Sequence, residues 1–194
     1  MRLFAAVLPP PAALEELAAL VGEMRRMPGA DALRWTGRPS WHYTLAFMGE
    51  VDESVLPELS ERLGRAAHRT PPFPLRVHGG GRFGRRALWA GAAGGLDDMR
   101  LLAERSDAAA RRSGVAMEEP RRYQPHLTLA RSGRADADLR PFVEALEHFR
   151  GSRWEVAALD LVRSNLPASG VPGEAPRYET IATWPLGGPA PGAG

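Results

Sequence analysis

The 194 residues include 25 basic and 23 acidic side chains, for a net charge of +2, and 44% are hydrophobic. This is the balance of a globular chain long enough to bury a core, not of a disordered one. All 25 basic residues are arginine and there is no cysteine. That excludes lysyl-adenylate ligation, Schiff-base chemistry, a Walker-A phosphate loop, a thiol nucleophile and thiolate zinc sites.

Residues 2–8 read as a first strand. The apolar run Leu3–Leu8 is short, has one preceding Arg and ends at Pro9-Pro10-Pro11, which suits a strand better than a secretory signal. No stretch reaches membrane-spanning length without charges, so a cytoplasmic protein is expected. The prolines lead into a helix with Leu14, Leu17, Val21 and Met24 on one stripe, ended by Pro28-Gly29. A short strand at 33–35, a turn over Gly37–Ser40 and a strand over 42–48 follow. A helix over 54–68 carries Leu56, Leu59 and Leu63 on one side and admits Pro57 in its first turn. Strands 73–79 and 86–92 flank a glycine-rich turn, and a helix spans 96–112.

The pattern then restarts with a strand over 124–130 and a helix over 138–149, whose Leu139, Phe142, Val143, Leu146 and Phe149 keep helical spacing. Strands near 153–163 and 177–185 close the fold, and 187–194, all Gly, Pro and Ala, are expected as a flexible tail. The expected fold class is α+β, one bilobal domain over 1–186. Two pseudo-symmetric lobes of antiparallel sheet with outer helices would enclose a cleft.

One phrase occurs twice: His42-Tyr43-Thr44-Leu45-Ala46 and His126-Leu127-Thr128-Leu129-Ala130, 84 positions apart in a chain with five histidines. Residues i and i+2 of a strand share a face. Each copy is therefore expected to show His, Thr and Ala together, with Tyr43, Leu45 and Phe47, or Leu127 and Leu129, packed beneath. Displacement at phosphorus is in line, so nucleophile and leaving oxygen lie on opposite sides. One neutral imidazole can take a proton from water while an imidazolium opposite protonates the departing alkoxide, each transfer worth ~10²–10⁴-fold. The hydroxyls of Thr44 and Thr128 can hold the non-bridging oxygens. No metal or cofactor is required, and the residues leave open which of His42 and His126 is acid and which is base.

The paired HxTx motifs resemble those of the two-histidine (2H) phosphoesterases, most closely the RNA 2',3'-cyclic phosphodiesterase (2'-5' RNA ligase-like) branch. The likeness extends to the opening Arg-Leu-Phe-Ala-Ala-Val-Leu-Pro-Pro, Arg34-Trp35, Leu45-Ala46-Phe47-Met48-Gly49, Gly81-Arg82-Phe83, Leu88-Trp89, Pro125–Arg131 and Leu161-Val162-Arg163-Ser164, reaching about Leu186. It implies hydrolysis of a 2',3'-cyclic phosphate, on RNA ends or nucleotides, to a 2'-phosphomonoester. His42 would be the proton donor to the 3' oxygen, His126 the base that activates water, and Thr44, Thr128 and Arg131 the phosphate contacts. Tyr43 stands where the family usually has Leu. A monomer is expected. Strict alternation from His126 puts Arg131 on the wrong face, so the strand must end or bulge there, or the long side chain must reach round.

Rival readings are 2'-5' oligonucleotide hydrolysis or reversible 2'-5' RNA joining, and a non-catalytic RNA-binding module. Other motifs carry less. His78-Gly79-Gly80-Gly81 resembles an esterase oxyanion loop, but no G-x-S-x-G elbow exists. Gly79–Gly84 fits G-x-G-x-x-G yet precedes a strand, against a dinucleotide site. His68 and His148 sit near helix ends without metal-ligand spacing. Trp35, Trp41 and Tyr123 suit core packing better than base stacking.

Overall fold

The computed structural model describes residues 1–133, 137–169 and 174–188. Along the chain run β1 (Arg2–Val7), α1 (Pro11–Met24), β2 (Leu33–Trp35), β3 (Tyr43–Glu50), α2 (Leu56–His68), β4 (Phe73–Phe83) and β5 (Ala87–Gly94). After them come α3 (Leu96–Arg112), β6 (Leu127–Ser132), α4 (Arg140–Glu147), β7 (Trp154–Val156), β8 (Ala158–Asn165) and β9 (Arg177–Pro185). They form two antiparallel sheets, β3-β1-β8-β9 and β2-β6-β5-β4-β7, the α+β class expected. Helices α2 and α3 pack on the first sheet, α1 and α4 on the second. Among the described residues no helix is long and apolar enough to cross a membrane.

Strand β1 is apolar on both faces because both are covered. Leu3, Ala5 and Val7 join a core that also takes Leu17, Tyr43, Leu75, Leu127 and Leu159, so one apolar cluster runs beneath both sheets. On its other face Phe4 and Ala6 pack with Val162, and Tyr178 lies against them. The residues expected as one strand near 153–163 form two. Trp154–Val156 pairs with Phe73–Leu75 in the second sheet, whereas Ala158 onward pairs in the first, leaving Ala157 alone between sheets.

The glycine-rich stretch is not a turn but the body of β4. Glycine is needed there because other groups lie directly on the strand. A Cβ on Gly80 would fall 2.5 Å from Leu146 Cδ1 and 2.6 Å from the Trp89 carbonyl oxygen, and one on Gly81 would fall 2.4 Å from Trp89 Cζ2. At Gly79, φ is +60°, the left-handed region glycine tolerates. There the strand bulges, and the Gly79 N–H bonds the Phe149 carbonyl at 3.0 Å. The turn itself lies beyond, at Gly84–Arg86.

Other boundaries shift by a few residues. The second motif strand begins at Leu127, and the expected 138–149 helix is Arg140–Glu147, opened by the Arg140 N–H on Asp138 Oδ1 at 3.0 Å. Of the tail expected over 187–194, the Gly187 N–H donates to the Ala67 carbonyl at 3.0 Å and the Gly188 carbonyl meets His68 Nδ1. Positions 189–194 lie outside the described residues.

Gly80→Ala forces a methyl group against backbone as well as Leu146. It is expected to lower stability by about 1–3 kcal/mol, the range for overpacking. Urea denaturation followed by circular dichroism checks this, and an unchanged midpoint contradicts it.

Candidate active site

Each motif strand contains a bulge at the same place. In the β1–β3 ladder the register passes from Ala5↔Ala46 to Ala6↔Thr44; in the β5–β6 ladder it passes from Leu88↔Ala130 to Trp89↔Thr128. Leu45 and Leu129 are the extra residues, and the copies share one burial pattern as a result. Leu45 and Ala46 are both buried, as are Leu129 and Ala130. The alanines therefore belong to the core and not, as simple alternation suggested, to the His–Thr face. Phe47, expected beneath the strand, is 46% exposed with the Arg2 guanidinium 4.9 Å from its ring centroid. The same one-residue slip in β6 brings Arg131 round to the face of Thr128.

That face borders a cleft of about 500 Å³ between the two sheets. His42, Thr44 and Tyr178 line it from the first sheet; Thr128, Arg131 and Arg34 line it from the second, with His126 just ahead of β6. All five residues singled out in the sequence thus meet in one place. His42 precedes β3 and stacks on Phe4, ring centroids 4.6 Å apart, with Tyr178 edge-on at 5.0 Å. Phe83 stands edge-on to His126 at 4.8 Å, and Trp89 lies tilted at 6.1 Å.

Each imidazole is tied back to its own loop. His126 Nδ1 lies 2.7 Å from the Gln124 carbonyl oxygen, and the Pro39 carbonyl lies beside the His42 ring, where it favours the charged form. A carbonyl only accepts, so Nδ1 of His126 carries the hydrogen and Nε2 keeps its lone pair in the neutral ring. Burial, and secondarily the nearby His126, pushes the His42 pKa down to about 4 against the opposing effect of the Pro39 carbonyl. Burial also lowers that of His126; the Gln124 bond opposes this and the Arg131 charge adds to it. Both shifts favour the neutral ring. A negative group between them reverses the balance, since it favours imidazolium.

A further contact fixes the distance between motifs. The Trp41 Nε1–H donates to Thr36 Oγ1 at 3.0 Å, and the Thr36 hydroxyl donates to the carbonyls of Thr128, 2.7 Å, and Leu129, 3.1 Å. The Thr36 N–H also bonds Leu129 O at 2.9 Å, carrying the β2–β6 ladder one residue further. Thr36, Arg34, Tyr178 and Phe4 had no assigned role in the sequence reading. Arg34 was legible only as part of a likeness, because its place opposite Arg131 depends on strand register.

Of the remaining sequence candidates, Trp35 lines the cleft with its Nε1–H on the Ala30 carbonyl at 2.9 Å, while Trp41 is buried. Tyr123 packs against the core. His78 is exposed, its Nδ1 2.9 Å from the Phe149 oxygen. Among the described residues no group of three or more His, Asp or Glu is placed to hold a metal ion.

Twin H-x-T strands facing one another from separate sheets are the arrangement of the two-histidine class. The family model of the 2'-5' RNA ligase superfamily matches residues 9–167, and the chain belongs to that superfamily. It is similar to the RNA 2',3'-cyclic phosphodiesterase of Aeropyrum pernix, 30% identical over 173 residues covering 84% of this chain and 94% of the relative. The one from Geobacillus stearothermophilus is 31% identical over 160 residues, 78% of this chain, which spans 47% of that relative's length. Crystal structures of E. coli LigT match at 28% identity over 95% of this chain and 96% of theirs. The TM-score is 0.73 for the apo form and 0.72 for the complex with 3'-AMP.

Two measurements test this geometry. Thr36→Val leaves Trp41 Nε1 and the Thr128 carbonyl without their partner and is expected to cost about 1–3 kcal/mol in chemical denaturation, with Thr36→Ser close to wild type. The acid side of the stability curve reads the histidines. An unfolded histidine protonates near pH 6.5 but folded His42 only near about 4. Between those values the unfolded chain holds more protons, so stability is full above about pH 6.5 and falls as the pH drops toward 4. Thermal unfolding of His42→Phe should show a shallower loss across that window; an unchanged slope contradicts it.

Proposed function

We propose that this protein hydrolyses the 2',3'-cyclic phosphodiester of RNA ends or nucleotides to a 2'-phosphomonoester, using its two histidines and no metal. The observation that carries this reading is that both H-x-T strands reach one cleft from different sheets, so that a phosphate has an imidazole on either side. The names of the relatives and the 3'-AMP held by E. coli LigT agree with it.

In the proposed reaction the cyclic phosphate sits between Thr44 and Thr128, whose hydroxyls donate to its non-bridging oxygens, with the Arg131 guanidinium beside them. Nε2 of neutral His126 takes a proton from water as its oxygen attacks phosphorus. The bond to the 3' oxygen breaks on the far side, and His42 delivers its proton to that oxygen. His126 ends protonated and His42 neutral; exchange with solvent resets both. The low pKa that burial gives His42 suits an acid that becomes charged only when the substrate anion arrives. Its apolar shelf of Phe4 and Tyr178 withholds water, and the phosphate supplies the stabilising charge.

Turnover of a 2',3'-cyclic nucleotide should persist in EDTA and fall by at least ~10²-fold in His42→Ala and in His126→Ala, the scale of one lost proton transfer. Metal-dependent turnover, or RNA binding without turnover in the folded wild type, overturns the reading. The rate should be bell-shaped in pH. Its basic limb should lie higher in kcat than in kcat/KM, because the bound anion raises the pKa of the acid. A flat profile with chemistry rate-limiting contradicts paired titrating histidines.

A further inference from the structure

His78 belongs to the His-Gly-Gly-Gly motif of the sequence, yet it has no place in the cleft. The bulge at Gly79 gives it another setting. There β4 is clasped by the loop that follows α4. The Gly79 N–H bonds the Phe149 carbonyl, the Gly151 N–H bonds the Val77 carbonyl at 2.8 Å, and His78 forms a bridge with Arg150. Past the loop, β7 pairs with β4 through Leu75↔Trp154, which sets Arg153 beside Arg76. Arg76, His78, Arg150 and Arg153 thereby line one pocket of about 370 Å³, whose wall holds no acidic residue among those described. It shares no residue with the cleft, and β4 lies two strands from β6, roughly 10 Å across the sheet.

Elsewhere Arg62, Arg65, Arg100, Arg111, Arg121 and Arg140 each have a carboxylate at ion-pair distance. Among the described residues Arg76, Arg150 and Arg153 have none. Acidic residues do stand nearby. Glu155 is opposite Pro74 in the β4–β7 ladder, and Asp97 and Asp98 open α3 just past Gly94, but none of them lines the pocket. Glu16 reaches the same loop, where its carboxylate accepts the Ser152 N–H at 2.8 Å. His78 Nδ1 faces the Phe149 carbonyl, which leaves Nε2 as the free ring nitrogen. Like charges gathered without a counter-charge repel one another, and a bound anion relieves that repulsion.

We propose that this pocket is a second anion site, which takes a terminal phosphate group carrying two negative charges in preference to a singly charged phosphodiester. Guanidinium groups present forked donors that match phosphate oxygens, and a dianion meets three of them with twice the charge of a diester. The wall contains no aromatic ring, so a nucleobase has nothing to stack on and recognition stops at the phosphate. A small free phosphomonoester and the 5' end of a nucleic acid both present this group. The assignment is independent of the reaction in the cleft.

Amide NMR of isotopically labelled protein resolves the two sites. Above about pH 7, methyl phosphate is mostly a dianion, since its second ionisation falls near about 6, whereas dimethyl phosphate is a monoanion. Methyl phosphate should shift the amides of Gly79 and Ala93, and dimethyl phosphate should bind there at least about fivefold more weakly. Changing the exposed pair together, Arg150→Gln with Arg153→Gln, should weaken methyl phosphate at Gly79 and Ala93 by about tenfold or more. Shifts at Thr44 and Thr128 should be the same as in wild type. An oligonucleotide with a 5' phosphate, compared with its 5'-hydroxyl form, identifies the source. Tighter binding than methyl phosphate marks a nucleic-acid end, and binding no tighter marks a free ester. Shifts confined to the cleft overturn the site, as does equal binding of the two esters or a double variant that binds like wild type.

Discussion

The site depends on a short relay of hydrogen bonds from the indole of Trp41 through the hydroxyl of Thr36 to the carbonyl of Thr128. Trp41 adjoins one histidine and Thr128 lies two residues past the other, so three groups tie together motifs from different sheets. Trp41 is buried, so the indole N–H at the start of the relay has no ready replacement for its partner. Thr36 can accept from the indole and donate to the carbonyl at once, which only a hydroxyl side chain of that length does here. The carbonyls it receives are those at the β6 bulge, where the ladder to β5 is interrupted.

The bulges turn a repeated phrase into a site. Without them, strict alternation would put Ala46 and Ala130 on the cleft face and hold Phe47 and Arg131 against the core. The extra residue in each strand buries two consecutive side chains and swings the next one outward. Up to that point the copies are equivalent; there they diverge, with Phe47 beneath the Arg2 guanidinium in one and Arg131 at the cleft in the other. The scaffold is nearly symmetric and its electrostatics are not, which suits a substrate whose attacking and departing oxygens differ.

Periodicity was enough to place most helices, because Leu17, Val21 and Met24 in one, and Leu59 and Leu63 in another, repeat at the spacing of the faces they bury. The paired histidines and threonines were legible for a different reason, namely the low frequency of histidine in this chain. What escaped depended on contacts between distant segments. Gly80 and Gly81 read as turn residues until Leu146 and Trp89 are seen lying on them. Thr36, Tyr178 and Phe4 look ordinary in sequence, since their roles come from a carbonyl and an imidazole far along the chain. Arg131 was suspected of a bulge, but only the register assigns the extra residue to Leu129.

The single residue between β7 and β8 has a mechanical consequence. Clamshell closure needs a few residues at a joint that can absorb large changes in φ and ψ. Here the sheets are spliced through Ala157, whose carbonyl is itself engaged by the Leu186 N–H at 2.9 Å, and one apolar cluster runs beneath both. A joint this short resists independent movement of the two sheets. A short splice and a shared core couple the two walls of the cleft, so a displacement of one sheet strains the packing under the other.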